Sequence, residues 1–177
     1  MSAPMSVPET QPATELVDGY LVQKKGGELR HQELQKRWTC ALRAWGAGRG
    51  EALHGWQHEF TAPGHCFALL VPDVAYQIAE TLAALGPEGS EAPAFAPEVA
   101  VEILSTGEPE SPLAWKIGAY LAAGTNVVFV VDPPCRTVIA HAADGVTRFG
   151  PGETVRHPGL PGFAFAIDAM FDGLYLG

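Results

Sequence analysis

The sequence has few cysteines and no long apolar run, and both absences narrow the classes of protein to consider. Its cysteines, Cys40, Cys66 and Cys135, are far apart and form no CxxC pair, so neither a disulfide framework nor a cysteine zinc site is expected. No apolar stretch approaches the roughly 20 residues of a membrane-spanning helix. The first residues lack the basic start and apolar segment of a signal peptide. We therefore expect a cytoplasmic protein without a membrane segment.

Charged residues are also few, at 18% of the 177 residues, whereas apolar residues make up 47%. This balance is typical of a folded globular protein, and the length fits one domain. Residues 1–13 are rich in proline, serine and threonine and show no periodicity. We expect a disordered arm over residues 1–13 and a single domain over residues 14–177.

Positive charge is scarce except in one segment. Residues 24–49 contain seven of the eleven basic residues and two of the twenty acidic ones, a net charge of +5 against −14 elsewhere. Such a segment indicates either a solvated helix face or a docking surface for an anionic partner. If the protein binds nucleic acid, the predicted contacts are Lys24, Lys25, Arg30, Lys36, Arg37 and Arg43.

Local patterns predict the elements of the first half of the domain. Residues 14–22 contain an Asp-Gly pair between two short β-like runs, which is a typical hairpin signal. From His31 to Gly46, apolar residues recur at helical spacing, namely Leu34, Trp38, Ala41, Leu42 and Trp45. The elements predicted to follow are two β stretches (52–60 and 66–76), a short helix (77–85) and a loop (86–97).

The second half contains the pattern of a crossover connection. In residues 98–105, Val99, Val101 and Ile103 alternate with a second face that includes Glu102. A helix is expected to begin at Ser111, which precedes a proline, and to end near Gly124. The strands expected to follow are a fully apolar one (127–131) and two shorter ones (137–142 and 146–149), before a tail rich in proline and glycine. This order predicts an α/β fold, a mixed β-sheet flanked by helices, with an N-terminal β-hairpin.

Glu102 is a carboxylate in an otherwise apolar strand, and a buried carboxylate normally pairs with a cation or a metal. Lys116 flanks the apolar stripe of the next helix, so its ammonium can lie over the sheet near Glu102. Asp73, after Pro72, is the candidate for a second carboxylate at the same end of the sheet. Two carboxylates and a lysine suit phosphodiester hydrolysis assisted by Mg²⁺ or Mn²⁺.

Several short motifs in this order and spacing resemble the Uma-type endonuclease family of the PD-(D/E)XK restriction-endonuclease-like superfamily. They are the hairpin ELVDG (15–19), His31 at the start of the first helix, VPDVA (71–75), PEVAVEILS (97–105), Lys116 with Tyr120, VVDP (130–133) and LPGF (160–163). The resemblance covers nearly the whole folded part of the chain. It implies a restriction-endonuclease-like core.

By this resemblance Asp73 and Glu102 would bind the metal, with the carbonyl of Ile103 as a third ligand. The superfamily's usual lysine, two residues after the glutamate, is replaced by Leu104, so Lys116 would supply the positive charge. Glu15 is expected to reach the same site from the hairpin. The resemblance also implies a homodimer.

Two alternatives remain open from the sequence. Glu102 and Lys116 can form a structural ion pair, in which case the chain is a catalytically inactive binding or assembly module on the same fold. A second alternative is a cupin-like metal protein that uses the closely spaced residues His54, His58, His65 and Cys66.

Overall fold

The computed structural model describes residues 10–25, 27–85, 93–105 and 110–174. Within these ranges the chain forms four helices: α1 (Leu29–Trp45), α2 (Ala79–Leu85), α3 (Glu110–Ala122) and α4 (Ile167–Phe171). The strands of the first half are β1 (Thr14–Val17), β2 (Tyr20–Gln23), β3 (Gly50–Leu53), β4 (His58–Phe60), β5 (Ala68–Leu70) and β6 (Val74–Ile78). Those of the second half are β7 (Val99–Ile103), β8 (Val127–Asp132), β9 (Thr137–Ala142), β10 (Gly145–Phe149), β11 (Thr154–Val155) and β12 (Phe165–Ala166).

A six-stranded mixed sheet forms the centre of the molecule, in the order β10-β9-β8-β7-β6-β3. Strands β7 and β8 are parallel and are joined through α3, whereas the other neighbours in this sheet pair antiparallel. A second, antiparallel sheet has the order β2-β1-β5-β4 and begins with the β1–β2 hairpin. The predicted mixed sheet with a crossover helix and an N-terminal hairpin is confirmed.

The central sheet separates two apolar cores, and β7 contributes alternate residues to each. Val99, Val101 and Ile103 face the core that contains α1 and the C-terminal segment. Ala100 faces the other core, which α3 and the smaller sheet cover. The alternation predicted for this strand is therefore found, and it directs Glu102 to the side of α3 and the hairpin.

Helix α1 packs on the sheet through the stripe that its spacing predicts. Leu34, Trp38 and Leu42 have no exposed surface, and the Trp38 ring lies 5.1 Å from that of Phe129. The helix stops at Gly46, where an added Cβ would overlap the ring of Tyr76. This packing fixes the first turns of α1 against the end of the sheet that contains Asp73.

The two β stretches predicted at 52–60 and 66–76 differ from the structure, because each contains two strands that belong to different sheets. A turn with Gly55 at φ 64° separates β3 from β4, and Pro72 lies between β5 and β6. Proline provides no backbone N–H for a sheet, and the positive φ bends the chain. The chain therefore changes sheet twice, and the second change lies directly before Asp73.

Smaller differences concern the ends of elements. The helix predicted at 77–85 begins at Ala79, because Gln77 and Ile78 belong to β6. Helix α3 begins one residue before Ser111. Residues 1–9 of the predicted arm and 86–92 of the predicted loop lie outside the described residues. The tail, for which the sequence analysis predicted no elements, forms β11, β12 and α4. None of the helices in the described ranges is long and apolar enough to cross a membrane.

Candidate metal centre and active site

The register of β6 and β7 brings the two predicted metal-binding carboxylates together. Val74 pairs with Val101, so Asp73, one residue earlier, lies opposite Glu102. The backbone N–H of Ile103 donates a hydrogen bond of 2.6 Å to Asp73 Oδ2. Both carboxylates are buried. The sequence placed them at the same end of the sheet, and the antiparallel pairing accounts for their proximity.

Glu15 enters the same cluster from the small sheet. Strand β1 pairs with β5, with Leu16 opposite Leu69. The backbone N–H of Val71, just beyond β5, donates to Glu15 Oε1 at 2.8 Å. The hairpin thus adds a third buried carboxylate beside Asp73 and Glu102.

Lys116 is the ammonium that α3 directs at these carboxylates. Its Nζ lies 2.7 Å from Glu102 Oε1, 2.9 Å from Glu15 Oε1 and 3.0 Å from Glu15 Oε2. Tyr120, one helical turn later, donates its hydroxyl to Glu102 Oε1 at 3.3 Å. Only 6% of the Lys116 side chain is exposed, so the helix holds this charge firmly between two carboxylates.

Lys24 is a second ammonium in the cluster, although its place in the basic segment predicted only a nucleic-acid contact. Its Nζ lies 2.7 Å from Asp73 Oδ1, 2.8 Å from the carbonyl of Val71 and 3.6 Å from Glu102 Oε2. A signal for this placement was present, since the two-residue Asp-Gly turn pairs Glu15 with Val22. Lys24 has the same strand parity as Val22 and therefore lies on the Glu15 face.

His31 and Gln35, one turn apart on α1, also contact Asp73. His31 Nε2 lies 3.2 Å from Asp73 Oδ1, and Gln35 Nε2 donates to the carbonyl of Asp73 at 3.1 Å. His31 Nδ1 is buried and has no hydrogen-bond partner among the described residues. The sequence placed His31 at the start of the first helix but gave it no part in the site.

The pKa shifts follow from burial and from three carboxylates facing two ammonium groups. Burial raises the pKa of Glu102, and the negative charges of Glu15 and Asp73 raise it further. The ammonium groups of Lys116 and Lys24 lower this pKa but do not cancel the rise. Burial opposes the charge of Asp73, but Lys24 and His31 outweigh it and lower the pKa of that carboxyl. Burial likewise opposes the charges of Lys24 and Lys116, yet the carboxylates raise the pKa of both. Both lysines are therefore ammonium ions at neutral pH.

The cluster forms one wall of a cavity of about 260 Å³ that opens to solvent. The remaining walls come from the hairpin, the end of β7 and the first turn of α3, and include Val22, Gln23, Leu104, Ser105, Pro112 and Leu113. Ile103, the predicted backbone ligand, also lines the cavity. The charged side chains of Lys24, Asp73, Glu102 and Lys116 therefore all line this cavity.

The donor set fits a hard divalent cation. In the described ranges, no three or more histidine, cysteine, aspartate or glutamate side chains are grouped to share one metal ion. The carboxylates of Asp73 and Glu102 nevertheless face one common position, because a single ammonium, that of Lys24, lies near both. Oxygen donors of this kind, completed by backbone oxygen and water, suit Mg²⁺ or Mn²⁺.

Most of the predicted nucleic-acid contacts in the basic segment bind atoms of the protein itself. Arg37 binds Glu33 and the carbonyl groups of Ala169, Met170 and Asp172. The other pairs are Arg30 with Glu28, Lys36 with Glu33, and Arg43 with Glu51 and the carbonyl of Ala52. Lys25 lies at the cavity. The segment therefore supplies one lysine to the cluster and several contacts that hold α1 in place.

The cupin-like alternative is wrong. His58 is fully buried, and its Nδ1 lies 3.0 Å from the carbonyl of Phe95. His65 Nδ1 lies 3.2 Å from the carbonyl of Pro63, whereas His54 and Cys66 are exposed. These side chains form no metal-binding group within the described part of the chain.

The comparisons with known proteins agree with this architecture. The family model Uma2, described as "Putative restriction endonuclease", matches residues 4–168. A crystal structure described as "a putative nuclease belonging to DUF820 from Anabaena variabilis ATCC 29413" is similar to this chain, with a TM-score of 0.82 and 23% sequence identity. The similarity covers 93% of this chain and 92% of that one. No curated protein matches the sequence. The predicted family resemblance and restriction-endonuclease-like fold are confirmed.

Proposed function

The chain belongs to the Uma2 family, and we propose that it is a nuclease that hydrolyses phosphodiester bonds with Mg²⁺ or Mn²⁺. The observation that carries this proposal is the meeting of Asp73, Glu102, Glu15 and Lys116 at the wall of one cavity. These residues come from β1, from β7, from α3 and from the segment between β5 and β6. Burying several charged groups costs free energy, and clusters of this kind are typical of functional sites.

Asp73 and Glu102 would hold the metal ion, with the Ile103 carbonyl as the predicted third ligand. When bound, the ion lowers the pKa of a coordinated water and offsets negative charge on the phosphate. The N–H of Ile103 holds Asp73 Oδ2 in place, which leaves Oδ1 directed toward Lys24 and the shared position. The protein thus orients both carboxylates before any ligand arrives.

Lys116 would orient the attacking water or stabilise the negative charge that develops on the phosphate. Its ammonium already points at Glu102 and remains protonated at neutral pH, so it can donate hydrogen bonds without a preceding protonation. Glu15 binds the same ammonium with both oxygens and acts as a positioning residue. The substrate is a nucleic acid, which reaches the cavity beside Lys25 and the start of α1. A cytoplasmic homodimer remains part of the proposal.

Cleavage assays with purified protein test this proposal on duplex DNA, single-stranded DNA and RNA, with Mn²⁺, Mg²⁺ or EDTA. We expect metal-dependent cleavage that Asp73→Asn, Glu102→Gln and Lys116→Met each lower at least about a hundredfold. Glu98→Gln is the matched control, because Glu98 precedes the same strand but accepts a hydrogen bond from Ile78 outside the cluster. Cleavage that persists in all three variants would refute the site.

A second candidate function is a binding or assembly module without catalysis. The observation in its favour is that Lys24 and Lys116 already pair with every carboxylate of the cluster, so the ion pairs offset part of the cost of burying these charges. Absence of cleavage, together with absence of metal binding in calorimetry, would support this second function.

A further inference from the structure

The contacts of Lys24 differ in kind from those of Lys116. Three oxygen atoms surround Lys24 Nζ: Asp73 Oδ1 at 2.7 Å, the Val71 carbonyl at 2.8 Å and Glu102 Oε2 at 3.6 Å. Two carboxylates and one backbone carbonyl are also a common partial ligand set for a divalent cation. The Lys24 ammonium therefore lies where the donor oxygens converge.

The two lysines share Glu102 without competing for it. Lys116 binds Oε1 of Glu102 and also binds Glu15. Lys24 lies nearer to Oε2 of Glu102 and also binds Asp73. Lys116 projects from the middle of α3 with 6% of its side chain exposed. Lys24 follows the last residue of β2 at the cavity wall, with 15% of its side chain exposed. Both lysines line the cavity, and the Lys24 side chain is the more exposed of the two.

We propose that the Lys24 ammonium and a divalent metal ion compete for one site formed by Asp73, Glu102 and the carbonyl of Val71. Two cations cannot share these oxygens, because their mutual repulsion in a buried site is strong. Metal binding therefore expels the ammonium, which stays tethered at the cavity wall. This inference rests on the proposed function for the metal itself, and it adds Val71 as a backbone ligand and Lys24 as the occupant of the metal-free site.

Titration calorimetry with Mn²⁺ measures the competition directly. Lys24→Met removes the competing ammonium and keeps the length of the side chain, so we expect Mn²⁺ to bind at least about tenfold more tightly, or about 1.4 kcal/mol. Lys36→Met is the matched control, because Lys36 is an exposed lysine that pairs with Glu33 on the surface of α1. Its affinity for Mn²⁺ is expected to equal that of the wild type.

A second measurement uses the wild-type protein alone and does not depend on how a variant folds. Reductive methylation followed by peptide mass spectrometry reports the accessibility of each lysine amine. Saturating Mn²⁺ is expected to raise the modification rate of Lys24 several-fold, while Lys116 stays protected. A Lys24 rate that Mn²⁺ leaves unchanged overturns the exchange, because the ammonium would then remain on its oxygens.

The outcomes separate this inference from the proposed function. If Asp73→Asn abolishes Mn²⁺ binding but Lys24→Met binds Mn²⁺ like the wild type, the metal site stands and the competition is refuted. If neither the wild type nor Lys24→Met binds Mn²⁺, the metal-dependent function and the competition both fail. Tighter binding by Lys24→Met together with exposure of Lys24 supports the competition.

Discussion

Replacing Lys116 by methionine tests how much the fold depends on a charge at the centre of the cluster. In the wild type, Lys116 Nζ lies 2.7 to 3.0 Å from carboxylate oxygens of both Glu15 and Glu102. The substitution keeps the length of the side chain but leaves these two carboxylates without their shared ammonium. Removing one partner of a buried ion pair costs about 3–5 kcal/mol, because the remaining charge stays desolvated. We expect the free energy of unfolding at neutral pH to fall by that amount.

The loss is predicted to shrink as the pH falls. Burial already raises the pKa of Glu102, and without Lys116 that pKa rises further. A carboxyl whose folded-state pKa lies above its unfolded-state value destabilises the fold at high pH, and this cost disappears when it binds a proton. Urea unfolding at pH 7.5 and pH 5 therefore measures a smaller difference between variant and wild type at the lower pH.

The double variant Lys116→Met/Glu15→Gln provides the control for this reasoning. Neutralising Glu15 removes one of the two carboxylates that the single variant leaves without a cation, so part of the lost stability returns. A single-variant loss below about 1 kcal/mol would refute the argument, because such a value is typical of exposed ion pairs. A loss of stability that does not change with pH would show that the pKa values of these carboxylates do not depend on the Lys116 ammonium.

Three further predictions concern single residues. Burial lowers the pKa of His58 to about 4, so between pH 6.5 and about pH 4 His58 binds a proton mainly in the unfolded state. His58 is therefore expected to cost about 2 kcal/mol of stability between pH 7.5 and pH 5. His58→Gln should remove that part of the pH dependence in urea unfolding, and His54→Gln, at an exposed position, should not. Glu15→Gln is expected to lower cleavage at least about tenfold and to lower Mn²⁺ affinity in calorimetry by less, since Glu15 positions Lys116 and contributes only its charge to the metal site. A loss of affinity equal to the loss of cleavage would make Glu15 a ligand instead. Tyr120→Phe should cost about 1 kcal/mol in urea unfolding, because only one hydrogen bond to Glu102 is lost, and no change would mean that this bond contributes nothing.

Much of the fold was predictable because periodic patterns reflect local geometry. The stripe on α1 follows from the helix period and predicted the buried residues Leu34, Trp38 and Leu42. The alternation in β7 follows from the strand period and predicted which residues share a face. The two changes of sheet, near Gly55 and Pro72, were not predicted. They depend on which sheet each half of a β stretch joins, and that is decided by contacts distant in sequence.

Some residues of the candidate site were predicted from the sequence, and others were not. Glu102 was predicted because a charge in an apolar strand is costly, and Lys116 because it flanks the apolar stripe of the next helix, whereas Asp73 was predicted mainly from the family resemblance. Lys24 and His31 were not predicted as members of the site, because each lies among other polar residues and interrupts no apolar pattern. For Lys24 the hairpin register contained the missing information, since the pairing of Glu15 with Val22 fixes the face on which Lys24 lies. For His31 no local signal was available, because its contact with Asp73 depends on how α1 lies across the sheet.

The charge balance of the cluster connects the two proposals. Glu15, Asp73 and Glu102 carry three negative charges against the two positive charges of Lys24 and Lys116, and burial makes the unbalanced charge costly. Burial raises the pKa of Glu102 although two ammonium groups lie nearby, and the charges of Glu15 and Asp73 raise it further. A monovalent cation in place of Lys24 would leave the imbalance unchanged, whereas a divalent ion would neutralise it. Exchange of the ammonium for Mg²⁺ or Mn²⁺ therefore completes the charge balance that the folded protein lacks, and we expect calorimetry to detect no exchange with Na⁺ or K⁺.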